Sequence, residues 1–218
     1  MVAGVTSFAG VRGECAIGCG DIPGSRDEAM AAAAGLVDAA EASRNPWEIS
    51  YALLAHGFAF ADADPVGALD ALRRGWAIAQ DSGIRCNESY LASNLARLEA
   101  LHGDRVAALD YFAVGIGNYR RSGNFPGMAF PLAILAAHMY RLGRHEPAAT
   151  LAGHAAISFA AGAWPELGPA IAGLRDVLGE ETYESLARKG ETMTHAAIAT
   201  YACDQIDQAR REVERRER

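Results

Sequence analysis

Six histidines and four cysteines are the side chains of this 218-residue chain with the most chemistry to offer, and their spacing assembles little of it. Cys15 and Cys19 are four apart, which puts both on one face of a helix. A structural zinc would need two further ligands, and no paired Cys or His motif stands nearby, so the two read as small buried thiols. His56, His102, His138, His145, His154 and His195 fall about one to a helix or turn, the distribution of packing and surface residues. Asp62-Ala63-Asp64 begins like a calcium loop but lacks the later oxygen ligands and the closing Glu, and it reads as the turn before a Pro-started helix. The glycines of Gly18-Cys19-Gly20 and Gly24 follow no strand and miss the dinucleotide spacing. A phosphate loop ending in Lys-Ser or Lys-Thr, an HExxH helix and a Gly-x-Ser-x-Gly elbow are all missing. The sequence therefore assigns no catalytic, cofactor-binding or metal-binding residue, and it predicts neither an enzyme nor a cofactor.

Composition narrows the partners. Lys plus Arg number 20 against 27 Asp plus Glu, and a net charge of -7 leaves no electrostatic footprint for nucleic acid or an anionic membrane surface. Half the residues are hydrophobic and 22% are charged, which suits a folded core. With only 8% aromatics, abundant alanine and no alternating β-branched runs, the propensities favour helix over strand. Four scattered cysteines fit reduced thiols in a cytoplasm, and Met1-Val2-Ala3-Gly4 has no basic region of the kind that opens a signal peptide. The uncharged stretches from Ser122 to Tyr140 and from Pro147 to Pro165 approach membrane length, but their prolines, glycines and alanines predict helices buried on both sides instead.

The elements that position these residues repeat. Val66-Gly67-Ala68-Leu69-Asp70 returns as Val106-Ala107-Ala108-Leu109-Asp110, 40 residues on. Gly75 then matches Gly115, Ser82-Gly83 matches Ser122-Gly123, and Val66, Leu69, Leu72, Trp76 and Ala79 map onto Val106, Leu109, Phe112, Ile116 and Tyr119. These steps of three and four residues repeat one helical face. The preceding helix recurs too, with an inner face of Leu91, Leu95, Leu98 and Leu101 and then one of Leu132, Leu135, Met139 and Leu142.

Punctuation sets the ends. Gly83 and Gly123 stand where a left-handed residue closes a helix, Pro46, Pro65 and Pro147 stand in first turns, and Ser25-Arg26-Asp27-Glu28 has the form of a capping box. The pattern predicts helices over 3–14, 25–42, 47–61, 66–81, 86–102, 105–121, 127–142, 146–162, 166–177, 180–188 and 193–214. A helix pair cannot bury its apolar face alone, so the expected fold is all-α, a right-handed α-solenoid of stacked antiparallel pairs with a period of about 40 residues. Residues 1–163 carry the repeats, and 164–218 form a helical cap and tail whose mixed charges, from Ala209 onward, predict a solvated, fraying end. The first unit opens with Phe8, Val11 and Cys15 and no polar capping helix, an edge expected to meet preceding protein or a second chain.

Several of these motifs together resemble a known family: the C-terminal tetratricopeptide-like region of bacterial regulators that join a STAND-class ATPase to a nucleotide cyclase or a LuxR-type DNA-binding domain. The resemblance covers nearly the whole chain. It rests on Asn45-Pro46-Trp47-Glu48, on Asp62-Ala63-Asp64-Pro65, on His102-Gly103-Asp104 with Ala107-Ala108-Leu109-Asp110-Tyr111-Phe112, and on Arg141-Leu142-Gly143-Arg144-His145-Glu146-Pro147. Its most specific part runs from Leu174-Arg175-Asp176-Val177-Leu178-Gly179-Glu180 through Thr182-Tyr183-Glu184-Ser185-Leu186-Ala187-Arg188-Lys189-Gly190-Glu191. There Gly179 and Gly190 are expected to end helices, with Tyr183 and Leu186 packing back on the last repeat.

The resemblance implies a scaffold for a protein partner or for the upstream ATPase and cyclase domains, with no direct nucleic-acid or membrane contact. None of the family's cyclase, ATPase or helix-turn-helix residues has a counterpart here, so none of those activities carries over. The expected function is a non-catalytic interaction or signal-sensing module. The alternative is a small-molecule effector site in the concave groove, which Trp47, Trp76, Tyr90 and Tyr119 would line, although recurrence on helical faces assigns such aromatics to the core.

Overall fold

Asn45, Asp64, Asp104 and Asn124 each begin a helix in the same way. In the computed structural model, which describes residues 25–158 and 165–216, their side-chain oxygens accept the N–H groups of Trp47 at 3.0 Å, Gly67 at 3.0 Å, Val106 and Ala107 at 2.7 and 3.0 Å, and Gly127 at 3.1 Å. Each satisfies a donor that a helix start leaves open, for about 1 kcal/mol. Gly83 and Gly123, at φ of 68° and 69°, close the helices that Asp64 and Asp104 open. In both turns the next residue donates back to the carbonyl five positions earlier, Ile84 to Ala79 and Asn124 to Tyr119. Only glycine holds that backbone without strain.

The described residues are all-α, with ten helices and no strand among them. The helices are α1 (Ser25–Ser43), α2 (Pro46–Phe60), α3 (Pro65–Asp81), α4 (Arg85–His102), α5 (Arg105–Ser122), α6 (Phe125–Arg141), α7 (His145–Ser158), α8 (Leu167–Leu178), α9 (Glu180–Thr192) and α10 (His195–Arg216). The expected helix over 3–14, Cys15, Cys19, the N-terminal edge and residues 159–162 lie outside the described residues, as do the side chains of Ser25, Arg26 and Asp27. The chain divides into two compact units between Asn87 and Glu88, in the first turn of α4.

In the first unit α2 packs between α1 and α3. Leu36 and Ala40 meet Ala52 and Ala55, and Leu72 fills the space beside Gly57, where a Cβ would lie 2.4 Å from its Cγ. Asn87 ties the start of α4 to α2 by donating to the carbonyl of Trp47 and to the Ser50 hydroxyl, at 3.1 and 2.8 Å.

In the second unit the core is continuous from Leu109, Phe112, Ile116 and Tyr119 of α5 through Leu132, Leu135 and Met139 of α6 to Leu151 of α7 and Ile198 and Ile206 of α10. All twelve residues from Met128 to Met139 are buried. A helix covered on every side needs no polar face, which accounts for the uncharged stretch ending at Tyr140. No helix among the described residues is long and apolar enough to cross a membrane. Tyr183 and Leu186 of α9 join the same core.

Three expectations are corrected. Gly190 does not end a helix: α9 continues to Thr192, and Gly190 is buried against α7, where a Cβ would lie 1.9 Å from the Thr150 carbonyl oxygen. Val66 is 71% exposed, because it sits in the first turn of α3 ahead of the packed stretch that starts at Ala68. The tail is ordered helix through Arg216, with Ala209 and Val213 buried and Arg210 paired to Asp110 of α5. The stripe Ile198, Ala202, Ile206, Ala209 and Val213 runs on beneath the charges, and it returns α10 to a helix a hundred residues earlier.

Candidate functional site

The turn after α6 delivers Arg144 to the start of α7, where α9 and α10 also arrive. The three helices line an open, polar depression of about 440 Å³. Arg144 spans it: one terminal nitrogen donates to Gln205 and Gln208 at 2.8 and 2.9 Å, and the other to Glu212 at 3.4 Å. These partners sit three and four residues apart on α10, so one helical face presents all of them to one guanidinium. On the opposite side the Lys189 ammonium lies 5.7 Å from the centre of the Tyr201 ring. Thr150 hydrogen-bonds the Tyr201 hydroxyl, while burial pushes that phenol above its ordinary range.

These groups can recognise a polar molecule, since the depression offers ammonium, carboxylate, amide and hydroxyl groups from three helices. They do not form a nucleophile with its base, and the upward shift of Tyr201 moves it further from proton transfer at neutral pH. A second, larger depression of about 570 Å³ is lined by one face of α9, from Glu181 to Thr192, and is open surface.

The aromatic residues proposed for a groove are distributed as follows. In the first unit Trp47 is 37% exposed and stacks on Tyr51 at 5.3 Å, and Trp76 is half-buried. In the second, Tyr90 is 38% exposed and meets the edge of Tyr119 at 6.1 Å, while Tyr119 itself is core. Asp64, expected only as part of the turn before Pro65, also caps α3. Cys86 and Cys203 are free thiols, and burial raises the second. No group of three or more His, Cys, Asp or Glu residues among those described is placed to hold a metal ion.

The histidines are less scattered than their spacing implied. His154 is buried and bonds through Nδ1 to the Gly190 carbonyl at 3.1 Å. That oxygen can only accept, so the proton belongs on Nδ1. His195, at the start of α10, lies edge-on to His154 at 5.5 Å and stacks on Phe125 at 4.9 Å. Their separation of 41 positions carries no local signal of this contact. His56 stacks on Phe60 at 4.2 Å and His145 leans on Tyr140 at 5.7 Å. His138 is 2% exposed, and neither ring nitrogen has a hydrogen-bond partner among the described residues. Burial lowers its pKa to about 4, helped by the charges of Arg141 and Arg105. No family model, no curated protein and no solved structure matches this chain.

Proposed function

We propose that this chain is a non-catalytic helical-repeat module for protein interaction or signal sensing, in the manner of the C-terminal regions of STAND ATPase regulators that carry cyclase or LuxR-type domains. The observation that carries the reading is the recurrence of one helix in two places. Asp64 and Asp104 cap α3 and α5, Gly83 and Gly123 close them, and Leu69, Leu72, Gly75 and Ala79 are buried at the positions of Leu109, Phe112, Gly115 and Tyr119. A sequence that repeats a packing face, rather than a constellation of reactive groups, suits a right-handed solenoid in the cytoplasm whose helix pairs present a long surface to an extended partner.

In-cell crosslinking of the full chain, with the crosslinked peptides sequenced, tests the proposal. The expected product joins this chain to a nucleotide-binding or cyclase domain, encoded immediately upstream or on a separate polypeptide. Turnover of a metabolite by the purified chain, or a folded chain with no specific crosslink, overturns it. The second reading, a small-molecule effector, draws its support from the polar depression beside Arg144. It predicts saturable stabilisation by one member of a metabolite panel, lost in Arg144→Ala.

A further inference from the structure

We infer that the polar depression lined by α7, α9 and α10 binds the charged head of a free amino acid, with its carboxylate on Lys189 and its ammonium on Glu146. This rests on the effector reading of the same depression and names the class of ligand it takes.

One pair of charges there is already committed. The Arg144 side chain is 12% exposed and donates to Gln205, Gln208 and Glu212. Those bonds hold the face of α10 against the start of α7 and set Arg144 against Glu212. The two glutamines accept from Arg144 through their amide oxygens, so their amide N–H groups remain available to donate.

The other pair is uncommitted. Lys189 stands in the last turn of α9 and Glu146 in the first turn of α7; both line the depression and both are exposed. Neither side chain makes a hydrogen bond or ion pair with a described residue, and Lys189 rests only near the Tyr201 ring. Each charge sits at the helix end whose dipole favours it, so both stay ionised without a protein partner. Lys189 is also the only lysine in the chain, all other Lys-plus-Arg positions being arginine. The depression thus holds the one compact, strongly hydrated ammonium among the side chains, where a planar guanidinium stands everywhere else.

The formal charges of Arg144, Lys189, Glu146 and Glu212 sum to zero. A simple anion drawn to Lys189 meets two carboxylates, and a simple cation drawn to Glu146 meets an ammonium and a guanidinium. A molecule carrying one charge of each sign satisfies both free groups at once, and the glutamine amides can donate to its carboxylate. Because the depression is open, it holds the charged head and leaves the rest of the molecule in solvent.

The full chain is titrated with each protein amino acid in turn, with the amine and the carboxylic acid corresponding to each, and with the wider metabolite panel, at fixed pH and ionic strength. Melting temperature is followed together with the NMR signal of the Lys189 side chain, which isotope-labelled lysine makes the single side-chain signal of its kind. At least one amino acid is expected to raise the melting temperature saturably and to shift that signal, with the matched amine and acid each weaker by roughly tenfold or more. E146Q and K189Q should each weaken the response to a similar degree, while D176N, at an exposed position on α8, leaves it unchanged. An unmoved Lys189 signal, an undiminished response in E146Q, or an amine or acid that matches its amino acid overturns the assignment. A different metabolite that stabilises the chain, with the effect lost in Arg144→Ala, overturns the amino-acid assignment and upholds the effector reading. Stabilisation by no member of either set overturns both.

Discussion

Gly190 of α9 faces the backbone of Thr150 so closely that a Cβ at that position would stand 1.9 Å from the Thr150 carbonyl oxygen. The approach is reciprocal: a Cβ on Gly153 of α7 would stand 2.1 Å from the Ala187 carbonyl oxygen. Backbone cannot move aside as a flexible side chain can. Gly190→Ala and Gly153→Ala are each expected to destabilise the protein by about 3 kcal/mol or more, as overpacking that separates two helices. Gly35→Ala in α1, where a Cβ meets nothing within 4 Å, should instead stabilise by about 0.5–1 kcal/mol through helix propensity. Urea unfolding of the three variants decides the matter, and equal effects at all three positions would contradict the close crossing of α7 and α9.

His138 predicts how stability responds to acid. Its folded pKa, lowered to about 4, lies below the ordinary value near 6.5 that the unfolded chain retains. Between those values the unfolded state binds the proton and the folded state does not, so stability falls as pH drops from about 6.5 towards 4, by about 3 kcal/mol at most. Above that window the group contributes no pH dependence. His138→Leu, which removes the titrating ring and leaves an apolar side chain, should flatten the profile of melting temperature against pH in this range. An unchanged slope would show that other groups set it.

The return of α10 to α5 separates two kinds of contact. Ile206 is fully buried in the core shared with α5 and α6, so Ile206→Ala should cost about 2–4 kcal/mol. Arg210 and Asp110 are paired at side-chain exposures of 32% and 55%, and water screens such a pair, so Asp110→Ala should cost less than about 1 kcal/mol. If the ion pair mattered more than the isoleucine, docking of this helix would be electrostatic and strongly salt-dependent. Melting both variants at low and high salt distinguishes the two cases.

These cases show which parts of the molecule its sequence makes legible. Helix starts at Asp64 and Asp104 and stops at Gly83 and Gly123 were readable because caps and left-handed turns are local, acting within four or five residues. Gly190 was misread for the same reason. A glycine near a helix end looks like a terminator until the neighbouring helix is known, and here Thr150, 40 positions away, gives it another purpose. The charges of the last helix masked an apolar stripe that periodicity does contain, from Ile198 to Val213. The contacts of His154 with His195, of Arg144 with α10, and of Arg97 with Glu166 have no signature in spacing. Each depends on how helices far apart in the chain are brought together.

Arg97 and Glu166 allow that dependence to be measured. At 12% exposure each, both groups gave up most of their hydration, and removing one leaves the other charged and poorly solvated. Arg97→Met and Glu166→Met alone are each expected to destabilise by about 2–4 kcal/mol, whereas the double variant should recover most of the loss, because two apolar side chains of similar length incur no such penalty. A double-mutant cycle by urea denaturation yields the coupling directly, with an expected value of at least about 1.5 kcal/mol. Additive losses would mean that the two side chains act independently, and the link between α4 and the start of α8 would then rest on apolar packing alone.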